Sequence, residues 1–153
     1  MKRNSNIVPL SRDHHRALLF CWKIRRGIEK GISLERMRSY VIYFWKDHLE
    51  KHFQEEESLL FREVDDQQCL QAIQEHREIE QLIVSVRDDG ASAEQRYQQL
   101  ADRVERHVRF EERQLFPFLE KSIPDEQLNA IGVKLGEQHA PDCADVFADE
   151  FWK

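Results

Sequence analysis

Histidine and glutamate stand four residues apart twice in this chain, as His52 with Glu56 and as His107 with Glu111, each time within an apolar stripe. The flanking stretches align. HFQEEESLLF from His52 and HVRFEERQLF from His107 match at Glu56 and Glu111, Glu57 and Glu112, Leu60 and Leu115, and Phe61 and Phe116. Residues four apart on a helix lie nearly over one another, so each pair can aim a nitrogen and an oxygen at one point. Buried polar groups without partners cost on the order of 1–3 kcal/mol each. A metal centre removes that cost, because imidazoles supply neutral nitrogen donors and carboxylates neutralise and bridge cations. The donor set suits iron, and also zinc or manganese. His14 and His76 fall on apolar stripes of their own and complete a set of His14, His52, Glu56, His76, His107 and Glu111.

The elements that must position these residues read as helices. Strand-like alternation is absent, and apolar residues recur at three- and four-residue steps. The first helix is expected over about 11–31, after Pro9 and before a glycine stop, with Leu10, His14, Ala17, Cys21, Ile24 and Ile28 along one face. The second starts at a Ser33 cap, carries Met37, Tyr40, Val41, Phe44, His48, His52 and Leu59, and ends near Val64. The third places Cys69, Ile73, His76, Glu80, Ile83 and Val86 on one side. After a turn in RDDGAS, Ser92 and Gln95 form a capping box for the fourth. That helix buries Tyr97, Leu100, Val104, His107, Glu111, Leu115 and Phe118, with Pro117 loosening its last turns. A shorter helix runs from Pro124 to about Leu135, before a tail with Phe147, Phe151 and Trp152 that docks on the body or meets a partner. The expected fold is all-α: an up-down-up-down four-helix bundle with a short C-terminal helix and tail. One domain is expected over 1–153, with the bundle over about 10–121 and the short helix and tail over about 122–153.

Composition narrows the function. A formal net charge of -6 argues against a grip on nucleic-acid phosphates. No apolar run approaches the roughly 20 residues that span a bilayer, and the N-terminal stretch turns polar where a secretion signal needs apolar residues. A cytoplasmic protein is expected. Cys21, Cys69 and Cys143 are odd in number and form no CxxC pair, so neither a disulfide framework nor a thiolate zinc site is indicated. Cys21 reads as a small core residue. Ferritin-like di-iron bundles use Glu-x-x-His, and no histidine here has a glutamate three residues before it.

Four segments together resemble the hemerythrin-like (HHE cation-binding) domain family: LSRDHHRALL, HFQEEESLLF, EHREIEQL and HVRFEERQLFP. The resemblance covers about residues 10–120. It implies a four-helix bundle holding two iron ions in an Fe–O–Fe type centre. His14, His52, His76 and His107 would be terminal ligands, with Glu56 and Glu111 bridging. His14 sits at the centre of its stripe, while the adjacent His15 points about 100° away. His15, His48 and Glu80 are candidates for additional ligands or for hydrogen bonds to the ligands. Oxygen-carrying hemerythrins have a second histidine four residues after the first on the third helix, where this chain has Glu80. The chain thus looks closer to four-histidine, two-glutamate members, which the resemblance links to nitric oxide, oxygen or iron responses and to iron-centre repair.

The expected function is that of a non-haem di-iron protein that senses or handles oxygen, nitric oxide, iron or redox state, with a small diatomic ligand such as O2 or NO. A di-metal oxidase or reductase enzyme is a further reading. An oxygen carrier or store and a metal-free helical interaction module are the alternatives, and a protein partner or homo-oligomer is open. Glu55, Glu57 and Glu112 read as solvated or helix-pairing charges.

Overall fold

The computed structural model describes residues 2–89, 93–139 and 145–153. Ser92, with its expected capping box and turn, and Cys143 lie outside the described residues. Helix α1 (Val8–Glu29) is entered through a 3-10 turn, Ser5–Ile7, and holds Pro9 in its first turn, where a missing N–H costs nothing. Helix α2 is one rod: Leu34–Phe44, a π turn at Trp45–Leu49, Glu50–Glu55, and a second π turn at Glu56–Leu60. A 3-10 turn, Phe61–Glu63, ends it. Helix α3 is Gln67–Asp89. Helix α4 joins Glu94–Phe110, a π turn at Glu111–Leu115, and Phe116–Ser122. Helix α5 is Asp125–Gln138. There is no strand among the described residues.

The ends form where local chemistry favours them. Gly31 has φ 66°, the left-handed conformation that glycine adopts without strain. It lets Ile32 N–H donate to Gly27 O and Gly31 N–H to Ile28 O, closing α1 with both bonds of a Schellman motif. Ser33 Oγ accepts from Arg36 N–H at the start of α2, and Asp66 Oδ1 accepts from Gln68 N–H at the start of α3.

The helices bury two separate apolar clusters. One gathers Ala17, Phe20, Phe44, Phe53, Ile79, Val104 and Val108, among others. The other gathers Leu10, Leu59, Leu60, Ala72, Leu115 and Phe116, among others. Along α1 and α3 the chain passes from the second cluster to the first. Along α2 and α4 it passes from the first to the second. This alternation is the up-down-up-down bundle. Phe20 and Phe44 stack with ring centroids 4.5 Å apart.

Helix α5 covers the second cluster with Leu128, Ile131 and Leu135. The tail covers the first. Phe151 and Trp152 are buried against Tyr40, and Lys23 Nζ sits 2.9 Å from Asp145 Oδ2 and 4.1 Å over the Trp152 ring. The tail aromatics therefore dock on the body of their own chain.

Candidate metal centre

On every bundle helix, the passage between the two clusters is occupied by polar residues. His14, His52, Glu56, His76, His107 and Glu111 are each at most 3% exposed. They form two groups that share both carboxylates: His14, His52, Glu56 and Glu111, and Glu56, His76, His107 and Glu111.

Each carboxylate divides its oxygens between the groups. Glu56 Oε2 lies 3.4 Å from His14 Nε2 and 3.2 Å from His52 Nε2, while its Oε1 lies 3.1 Å from His76 Nε2. Glu111 Oε1 lies 2.7 Å from His14 Nε2, while its Oε2 lies 3.2 Å from His107 Nε2 and 3.6 Å from His76 Nε2. All four rings point Nε2 inward.

The other ring nitrogens are held from outside. Nδ1 of His14, His76 and His107 lies 2.7 Å from Glu112, Glu57 and Glu75 respectively, and Nδ1 of His52 lies 2.9 Å from Asp13. A carboxylate at Nδ1 fixes the proton there and leaves the Nε2 lone pair facing in. These contacts follow a pseudo-twofold. The acid preceding His14 holds His52, and the acid preceding His76 holds His107. The second glutamate of each repeat, Glu57 or Glu112, holds the histidine of the next helix around the bundle.

Of the two readings of Glu55, Glu57 and Glu112, as solvated or as helix-pairing charges, the contacts match the second: Glu57 meets His76, Glu112 meets His14, and Glu55, 4% exposed, meets His139. Asp13 and Glu75 escaped sequence reasoning. The available signal was an acid immediately before each unpaired stripe histidine.

The two repeats also share a backbone feature. A π turn begins at Glu56 and at Glu111, with Phe61 N–H donating to Glu56 O and Phe116 N–H to Glu111 O. In α4 the next carbonyl, Glu112 O, meets no donor from Pro117, which lacks an N–H. Arg3 Nη2 fills that place at 2.9 Å and also contacts the Glu112 side chain. Wide turns shift the inward face by one residue. After the Trp45–Leu49 turn, Leu49 is buried and His48 half-buried, hydrogen-bonded to Tyr43 Oη at 3.2 Å. After the second repeat, Leu119 is buried and Phe118 half-buried.

The remaining candidates fall outside the two groups. His15 is exposed, so His14 is the α1 histidine in the centre. Glu80 is half-buried because the α3 stripe advances from His76 to Ile79 and Ile83, leaving position 80 on its flank.

The donor set fits a pair of cations. His52 Nε2, His76 Nε2, His107 Nε2, both Glu56 oxygens and Glu111 Oε2 are buried and have no hydrogen-bond partner among the described residues. Six buried polar atoms that face one another without hydrogen bonds call for positive charge between them, from cations or from protons. The electrostatics agree. Burial by itself disfavours a charged imidazole, yet the facing carboxylates outweigh it. His14 and His76 are held well above the ordinary value, His107 above it, and His52 at about 9. Burial likewise pushes the Glu56 and Glu111 carboxyls up, and the histidines pull both below their ordinary value. In the cation-free chain, protons supply the positive charge that the carboxylates demand. Phe53 stacks on His76 at 3.8 Å and Phe116 on His14 at 5.1 Å, closing the centre with apolar surface.

No helix among the described residues is long and apolar enough to cross a membrane. The family model for the hemerythrin HHE cation binding domain matches residues 6–119. No curated protein and no solved structure matches the chain.

Proposed function

Since this chain belongs to the hemerythrin HHE cation-binding domain family, we propose that it holds two iron ions between its four bundle helices and uses them to sense or handle a small diatomic ligand, iron or redox state. The observation that carries this reading is the division of the two carboxylates: Glu56 has one oxygen toward His14 and His52 and the other toward His76, and Glu111 has one toward His14 and the other toward His76 and His107. His14 and His52 would hold one ion and His76 and His107 the other, with Glu56 and Glu111 available to both. Each position then has two nitrogen and two oxygen donors from the protein. Non-haem iron held by imidazole and carboxylate can keep open positions, and these would be the place of O2, NO or water. Bound there, iron supplies reversible ligand binding and electron exchange, which the side chains cannot.

The chain's own residues orient and insulate. The four outer carboxylates fix the ring tautomers, and Phe53, Phe61 and Phe116 exclude water from the rings. Zinc or manganese suits the same donors. The buried free thiols of Cys21 and Cys69 fit a reducing compartment such as the cytoplasm.

The test is metal content per chain after purification from iron-supplemented cells, with optical spectra before reduction, after reduction and after air. About two irons per chain, the number of positions read from the side chains, and a near-ultraviolet band that responds to reduction support the reading. Recovery of the reduced spectrum on removing O2 would favour carriage, and irreversible oxidation would favour sensing or turnover. A folded protein that takes up no iron would overturn it.

A further inference from the structure

His139 terminates α5, beyond the family-matched segment, and touches the outer layer of the centre. Its Nδ1 lies 2.8 Å from Glu55 Oε1 and its Nε2 lies 3.3 Å from Asp13 Oδ1. The other Asp13 oxygen, Oδ2, is the one that holds His52 Nδ1 at 2.9 Å. Helix α5 is anchored along its length up to this contact. Leu128, Ile131 and Leu135 are buried in the second core cluster, and Lys51 Nζ on α2 donates to Gln138 O at 2.7 Å. The contact breaks the pseudo-twofold. The counterpart of Asp13 is Glu75, which meets His107 and accepts from Gln71 Nε2 of its own helix at 3.0 Å. Asp13 instead meets Arg16 of its own helix at 3.2 Å and His139 from α5.

We propose that His139 is a positioning residue that couples the docking of α5 to one half of the centre, by clamping Asp13 onto His52. This rests on the two-cation reading above. Asp13, Glu55 and His139 also lie close enough together to suggest a cation of their own. However, the ring meets the two carboxylates through opposite nitrogens, whose lone pairs diverge. That geometry is a bridge between acids. Its consequence is that the His14/His52 position depends on α5 and the His76/His107 position does not.

The test is a Co2+ titration of the full chain, followed by visible absorption, on wild type, His139→Ala and His139→Gln. Wild type should take up two equivalents. His139→Ala should weaken one equivalent by roughly 10–100-fold, the usual effect of losing an outer hydrogen-bond partner, and leave the other unchanged. His139→Gln, whose amide N–H still donates to Asp13, should restore part of the loss. In the cation-free chain, imidazole 15N–1H spectra should show His139→Ala moving the His52 Nδ1–H signal and sparing that of His107. An unchanged His52 signal with both equivalents intact overturns the proposal, and so does equal weakening of both with lost helicity. If wild type takes up fewer than two Co2+, the two-cation reading fails separately, and the His52 signal alone then decides the role of His139.

Discussion

Glu112 Oε2 lies 2.7 Å from His14 Nδ1, across 98 residues of chain. The neighbouring Glu111 reaches the other nitrogen of the same ring, with Oε1 2.7 Å from His14 Nε2. Two consecutive carboxylates on one wide turn of α4 therefore grip both edges of an imidazole on α1. Ser11 Oγ donates to Glu112 Oε2 at 2.8 Å, so the outer grip is itself held.

That grip sets the first prediction. Glu112→Ala frees the His14 ring to rotate and should weaken cation binding by roughly 10–100-fold. Glu57→Ala should act similarly through His76. Calorimetric titration with Zn2+ checks both, and affinities equal to wild type would show that the outer carboxylates do not orient the rings.

Glu56→Ala and Glu111→Ala each remove an oxygen from both positions at once, so either should abolish the binding of a cation pair. Glu80→Ala should retain both cations, because position 80 lies on the flank of its helix. Metal content per chain by mass spectrometry of emission-calibrated samples decides this, and an undiminished pair in both glutamate variants would refute the bridging assignment.

The cation-free chain should lose stability as pH rises. The histidine values are raised by their carboxylates, so their contribution is full below 6.5 and fades as pH climbs through the folded values, about 9 for His52. Glu56 and Glu111 are depressed, so their contribution is full above 4.5 and is lost in acid. Cation binding needs neutral imidazoles and should strengthen with pH. Thermal unfolding between pH 6 and 9, with chelator and with Zn2+, should therefore show opposite slopes.

Phe151→Ala should cost about 3–5 kcal/mol, the usual range for emptying a buried aromatic site. Its ring is 1% exposed and packs 5.6 Å from that of Tyr40. Urea unfolding gives the value. A loss below about 1 kcal/mol, the scale of an ordinary surface change, would mean that the tail does not stabilise the bundle.

Cys21 should resist thiol reagents in the folded protein. Burial raises its thiol to about 12, and the residue is 1% exposed. Mass mapping after alkylation tests this, and rapid labelling at Cys21 would contradict its place in the core.

The sequence by itself determined the helices and the inner residues. Apolar residues at helical spacing need one buried face, and a histidine or glutamate on that face must be carried inside with it. The duplicated His-x-x-x-Glu was therefore legible, as were His14 and His76. Only the tertiary structure decided which acids hold the outer nitrogens. Asp13, Glu57, Glu75 and Glu112 lie off the stripes, where the pattern of one helix cannot distinguish a solvated carboxylate from one facing the next helix. Their roles arise at seams between helices. The same limit hid His139, which reaches Asp13 only because α5 folds back over the bundle, and displaced His48 and Phe118, because a π turn inserts a residue into a period that the sequence reads as constant.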